Sequence, residues 1–196
     1  SARLRLEQIG ITFLSGYHAA LEETEFNSLA HRLANVETDL RGFAFEGAAM
    51  GLALLDTFTP WRKDRWRTFT ERAATPHIYM MHVGLGWALA RLRRDVSPYL
   101  AQLDPLLRWL MIDGYGFHEG YFGWPRYVER RAMPVRLDGY ARRVFDQGLG
   151  DPELALARHV VTTSNATPAI LTAVFGVPAV PHTVAGLGDG PAPRSG

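Results

Sequence analysis

Apolar residues recur at spacings of three and four along most of the first 150 positions, the period of helices with one buried stripe. Leu6, Ile9, Phe13, Tyr17 and Leu21 form such a stripe over residues 4–22. Asn27 is a capping residue for a second helix to about Asn35, with Leu29, Leu33 and Val36 inward. After a turn at 39–42 come two nearly unbroken apolar runs, 43–58 and 78–93, which read as core helices. In the polar segment between them Lys63, Asp64, Arg65, Arg67, Glu71 and Arg72 face water, while Trp61, Trp66 and Phe69 supply contacts. Thr75-Pro76-His77 places a cap and a first-turn proline before the second run. A turn at 95–98, a helix over 106–112 capped by Asp104, and a helix over 138–147 with Tyr140, Val144 and Phe145 inward complete the pattern. It predicts an all-α domain of packed helical hairpins over residues 1–150. Residues 151–196 differ in character. From Gly176 onward nine of twenty-one residues are Gly or Pro, so that tail is expected to stay loose unless a partner holds it.

One stretch breaks the helical rule. Ile112 to Trp124 carries Gly114, Gly116, Gly120 and Gly123 among Asp113, Tyr115, His118, Glu119 and Tyr121. Glycine inside a helix costs roughly 1 kcal/mol against alanine, so such density implies close backbone approach or ligand access to the main chain. Gly42-Phe43-Ala44-Phe45-Glu46-Gly47 echoes its centre, and residues 43–54 align without a gap on 78–89. The spacing, near 35 residues, is that of a helical-hairpin repeat. Chance likeness between Ala-, Gly- and Leu-rich helices is the alternative.

Composition narrows the partners. Net charge is +1 with 21 basic and 20 acidic residues, which argues against a nucleic-acid surface. Cysteine is absent, excluding disulfides, thiol nucleophiles and Cys-ligated metals. The apolar runs are too short to span a bilayer, which takes about 20 residues, and no secretory leader is visible. A cytoplasmic location without membrane contact is the expectation.

The chemistry-bearing residues fall at comparable points of the three echoing stretches: Glu46, His82 and the pair His118-Glu119. Side-by-side packing would bring them together for acid/base work in an apolar pocket. Tyr79, Trp87, Trp109, Tyr115, Phe117, Tyr121 and Trp124 would line it. The bland alternatives are a carboxylate paired with Arg41, a core histidine bonded to backbone, and aromatic residues that are plain core. No strong metal motif is present: His118-Glu119 is followed by Phe at position 122, so it is not H-E-x-x-H. No P-loop, nucleophile elbow or dinucleotide fingerprint appears either, so no cofactor is assigned.

Four motifs in order carry a family resemblance: Gly16-Tyr17-His18-Ala19-Ala20-Leu21-Glu22, Arg41 to Met50, His82-Val83-Gly84-Leu85-Gly86-Trp87-Ala88, and Asp113 to Phe122. With the closing Gly139 to Gly150, they resemble the DUF1702 family over residues 8–150. That family includes the UnbL-type proteins encoded beside enediyne polyketide synthases in actinomycetes. The resemblance implies an accessory step of antibiotic or other polyketide biosynthesis, binding or converting an apolar polyene-like intermediate. A non-catalytic helical scaffold contacting a synthase is the alternative. Members continue with a second helical half. After Gly150 this chain departs from them, which implies a truncated or split member whose missing half a partner chain would supply.

Overall fold

The computed structural model describes residues 2–59, 61, 64–123, 125–130, 132 and 137–150. The expected flexible tail and Trp124 lie outside those residues. The described residues form helices α1 (Ala2–Glu22), α2 (Phe26–Ala34), α3 (Thr38–Phe58), α4 (Arg65–Arg72), α5 (Ile78–Arg91), α6 (Ser97–Gln102), α7 (Arg108–Phe122) and α8 (Gly139–Leu149), with a 3-10 turn at 75–77 and a π-helical turn at 125–129. Among them there is no strand, so the chain is all-α.

The long helices pack in chain order, α1 on α3, α3 on α5, α5 on α7 and α7 on α8. Facing residues advance together along both members of each pair. Phe13 meets Gly47 and Ala20 meets Gly51; Gly42 meets Met80 and Glu46 meets Gly84. Val83 meets Gly114 and Trp87 meets Phe117; Trp109 meets Tyr140 and Gly120 meets Leu149. Neighbouring long helices therefore run in the same direction. The shorter α2, α4 and α6 lie in the connections that return the chain. The three echoing stretches of sequence are α3, α5 and α7, side by side.

Glycine sets the distance between these helices. A Cβ on Gly16 would land on the Ala44 carbonyl, one on Gly47 on the Phe13 carbonyl, and one on Gly84 on the Glu46 carbonyl. Gly86 and Gly114 interlock in the same way, against the Met111 and Val83 carbonyls, as do Gly116 and Gly148 against those of Phe145 and Asp113. Residues two apart on a helix point to nearly opposite sides, since each advances about 100°. Gly84-x-Gly86 therefore opens one side of α5 to α3 and the other to α7. Gly114-x-Gly116 does the same in α7 for α5 and α8. Backbones this close gain dispersion and Cα–H···O contacts in place of large buried side chains. Larger residues, including Met50, Met81, Met111, Ile112 and Phe145, fill the space left over.

Several sequence expectations shift. The turn expected at 39–42 is helical, because the Leu40 and Arg41 amides donate to the Glu37 carbonyl and Arg41 Nε to that of Val36. The helix expected to end at 112 runs unbroken through the glycine-rich stretch to Phe122. Asp104 caps its approach as expected, accepting from the Leu106 and Leu107 amides. In α1 the inward face is Phe13, Gly16 and Ala20, while Leu6 and Leu21 are 43% and 42% exposed. The small residues point inward because the closest approach is there. α2 starts at Phe26, so Asn27 is not its cap. Tyr140 is not inward but 53% exposed, its ring edge-on to Trp109 at 4.7 Å.

If close approach governs the packing, two Gly→Ala changes in helix interiors should differ in sign. Gly47→Ala puts its methyl on the Phe13 carbonyl and should destabilise by about 2–4 kcal/mol despite better helix propensity. Gly10→Ala meets nothing within 4 Å and should stabilise by up to about 1 kcal/mol. Urea midpoints read both, and equal effects would mean that the helices spread freely.

Candidate functional site

Glu46 sits in the middle of α3, where Gly84 of α5 is seated on its carbonyl. That contact leaves little room for water, and Glu46 is 6% exposed. Among the described residues no Arg or His pairs with it; Arg41 spends its Nε on the Val36 carbonyl. Burial therefore pushes the carboxyl from 4.5 up to about 8. The indole N–H of Trp87 opposes that shift, and the like charge of Asp113 adds to it. Asp113 is itself raised by burial. At neutral pH Glu46 is a proton donor held in an apolar setting.

Trp87 of α5 is the hub of that setting. Its ring centroid lies 4.8 Å from Phe13, 5.4 Å from Phe117, 5.7 Å from His118 and 6.1 Å from Phe122. These contacts join α1, α5 and α7 around one indole. His118 is buried, edge-on to Trp87, with Phe122 at 4.8 Å on another side. Its Nδ1 stands 3.7 Å from Glu119 Oε1, too long for a hydrogen bond. Glu119 also faces Tyr127 and Tyr115, and helps raise both phenols after burial, Tyr115 to about 12. Tyr121 stacks on Phe117 with centroids 6.5 Å apart.

Of the residues singled out in the sequence, the structure brings Glu46, Trp87, Phe117, His118, Glu119 and Tyr121 to this region. His82 is elsewhere. It lies five residues before Trp87, about 140° around α5, with its ring edge-on to Trp66 of α4. Its Nδ1 bonds the Ile78 carbonyl at 2.8 Å, and burial lowers its pKa. Tyr79 is 64% exposed. Trp109 packs on Tyr140 at the start of α7, and Tyr115 faces Phe145 of α8 at 6.0 Å. Sequence reasoning missed Phe13, Asp113 and Phe122. Asp113 and Phe122 stand inside the glycine-rich stretch, and Phe13 in the first apolar stripe, so the signal was present but did not say which neighbour each would face.

Among the described residues no three His, Asp or Glu side chains come together to hold a metal ion. No described helix is long and apolar enough to cross a membrane. The arrangement is a neutral acid beside an indole, inside an aromatic cluster.

Residues 1–153 match the model of a family described as a protein of unknown function, DUF1702, and the chain belongs to that family. No curated protein and no solved structure matches it.

The raised pKa has a sign in stability. The unfolded chain releases the Glu46 proton near 4.5 and the folded chain near 8, so between them the folded state binds more protons. The contribution is complete below about pH 4.5 and is lost as pH rises toward 8. Denaturation of wild type and Glu46→Gln at several pH values should show the variant gaining up to roughly 1.4 kcal/mol per pH unit over that window. A difference independent of pH would mean that the carboxylate is charged and solvated in the folded chain.

Proposed function

We propose that the chain binds an apolar, polyene-like small molecule against the aromatic cluster around Trp87, with Glu46 as the proton donor for its binding or conversion. The observation that carries this reading is the buried Glu46 carboxyl, raised to about 8 with no cation beside it among the described residues. A packing role alone gives no reason to keep such a group, because an apolar side chain of similar size avoids the desolvation cost. Perturbed carboxyls in apolar surroundings concentrate at functional sites. Phe13, Trp87, Phe117 and Phe122 offer flat apolar surface suited to a conjugated chain.

The pathway proposed is enediyne or related polyketide antibiotic biosynthesis in the cytoplasm of an actinomycete. The likeness of the four sequence motifs supports it.

A second reading has its own observation. Leu4 and Ile11, seven residues apart and so on one face of α1, are 60% and 58% exposed at the end of the helical row. That face suits a scaffold contacting a synthase or a partner chain that continues the row.

The probe 1,6-diphenyl-1,3,5-hexatriene tests the first reading, since its emission rises in apolar surroundings. Saturable binding is expected. It should weaken by about tenfold or more in Phe117→Ala and Trp87→Ala, and stay within about threefold in Glu46→Gln. Phe117 is only partly buried, so its variant keeps the test valid if Trp87→Ala does not fold. Unsaturable binding, or binding indifferent to both aromatic variants, would count against the site.

A further inference from the structure

The row of long helices has two faces, and the connecting helices use one of them. Trp66 of α4 bonds the Met81 carbonyl and lies edge-on to His82, and Phe69 of α4 stacks on Phe45 and packs on Phe26 of α2. Arg108 of α7 bonds the Leu100 carbonyl of α6 on the same side. Nine residues of helix advance about 900°, half a turn beyond two full ones. Arg91 therefore stands opposite His82 on α5, and Phe117 opposite Arg108 on α7. Trp87 lies one turn before Arg91, and Asp113 and Tyr121 lie one turn to either side of Phe117, so all share the far face. The charges agree with this placement. Burial raises both Glu46 and Tyr17; Asp113 adds to the first shift from beyond α5, and Arg91 opposes the second from beyond α3. No connecting helix of the described residues covers this face. Arg91 is exposed there, and Val83, Asp113, Phe117 and Tyr121 are partly so.

The two charges are arranged about a centre. Trp87 meets Phe117 across the α5–α7 seam, with ring centroids 5.4 Å apart. Arg91 lies one turn beyond that contact on α5, and Asp113 one turn before it on α7, each about 6 Å along the helices and in opposite directions. A twofold axis through the contact, perpendicular to the helices, lays α5 of one copy over α7 of another. It sets Arg91 of each copy over Asp113 of the other, with Trp87 and Phe117 of both at the centre. The face is thus its own complement, an apolar centre with two ion pairs at its rim. A hydrocarbon surface would leave both charges unpaired, an anionic partner would meet Asp113, and a cationic one would meet Arg91.

We propose that this face docks a second copy of the chain, in a twofold dimer held by two Arg91–Asp113 pairs around a Trp87–Phe117 centre. The inference does not rest on the ligand reading above.

Sedimentation velocity of the whole chain, over about 1–300 µM, should show a monomer–dimer equilibrium. Arg91→Asp and Asp113→Arg each set like charges against one another, and each should weaken the dimer by about tenfold or more. Mixing the two variants in equal amounts is the decisive step. In their heterodimer the intact Arg91 of one copy faces the intact Asp113 of the other, and the two replaced side chains also face each other with opposite charge. Affinity should return to within about threefold of wild type, a recovery that damage to packing would not show. Arg91 is exposed, so its variant decides alone if Asp113→Arg does not fold: an unchanged dimer would then overturn the proposal. A chain that stays monomeric throughout would overturn it as well. So would a dimer that neither variant weakens, or one that mixing does not recover.

Discussion

The contact on which this structure depends is the seating of glycine Cα atoms on the carbonyls of the next helix. It recurs at all four junctions of the row, from Gly16 on Ala44 to Gly148 on Asp113. Glycine is a poor helix former, and each one costs roughly 1 kcal/mol of propensity. The offsetting gain is proximity, because two backbones without intervening Cβ atoms touch along a seam. The arrangement is intolerant: at several of these positions even a methyl group meets a backbone carbonyl, which cannot swing aside as a side chain can.

That constraint also produces the chemistry. Glu46 loses its water because Gly84 lets α5 settle on its own carbonyl, and because Trp87, three residues on, closes the side next to it. Wider helix spacing would admit solvent and return the carboxyl toward its ordinary range. The perturbed acid is thus a product of backbone approach and not of an elaborate set of side chains. It lies on the second helix of the row, against the third.

The all-α class was legible in the sequence because helical periodicity is local, and so was the role of the glycine-rich stretch as a place of close approach. Gly47 and Gly51, four apart, both meet α1, as that spacing requires. What could not be read was direction around the helix within runs that are apolar on every side. Periodicity carries no information where nothing polar marks the outside. So His82 and Trp87 looked equally inward, yet one belongs to the α4 side and the other to the α1–α7 side. The α1 stripe was misread for a related reason. Large apolar residues define a stripe in sequence, while beside Phe13 the buried face is built from the small Gly16, Ala19 and Ala20.

The same logic separates a residue that packs from a residue that waits. His82 and His118 each sit beside a tryptophan, edge-on, in long helices of similar composition. Neither sequence context nor burial tells them apart. The hydrogen-bond account does: His82 reaches back one turn to its own helix, whereas among the described residues neither nitrogen of His118 meets an acceptor or donor. A folded chain gains nothing from an orphaned imidazole, and the cost of leaving a buried polar group unmet is about 1–3 kcal/mol. His118 is therefore the histidine that packing alone does not account for, whereas the Trp87 indole beside it serves the Glu46 carboxyl.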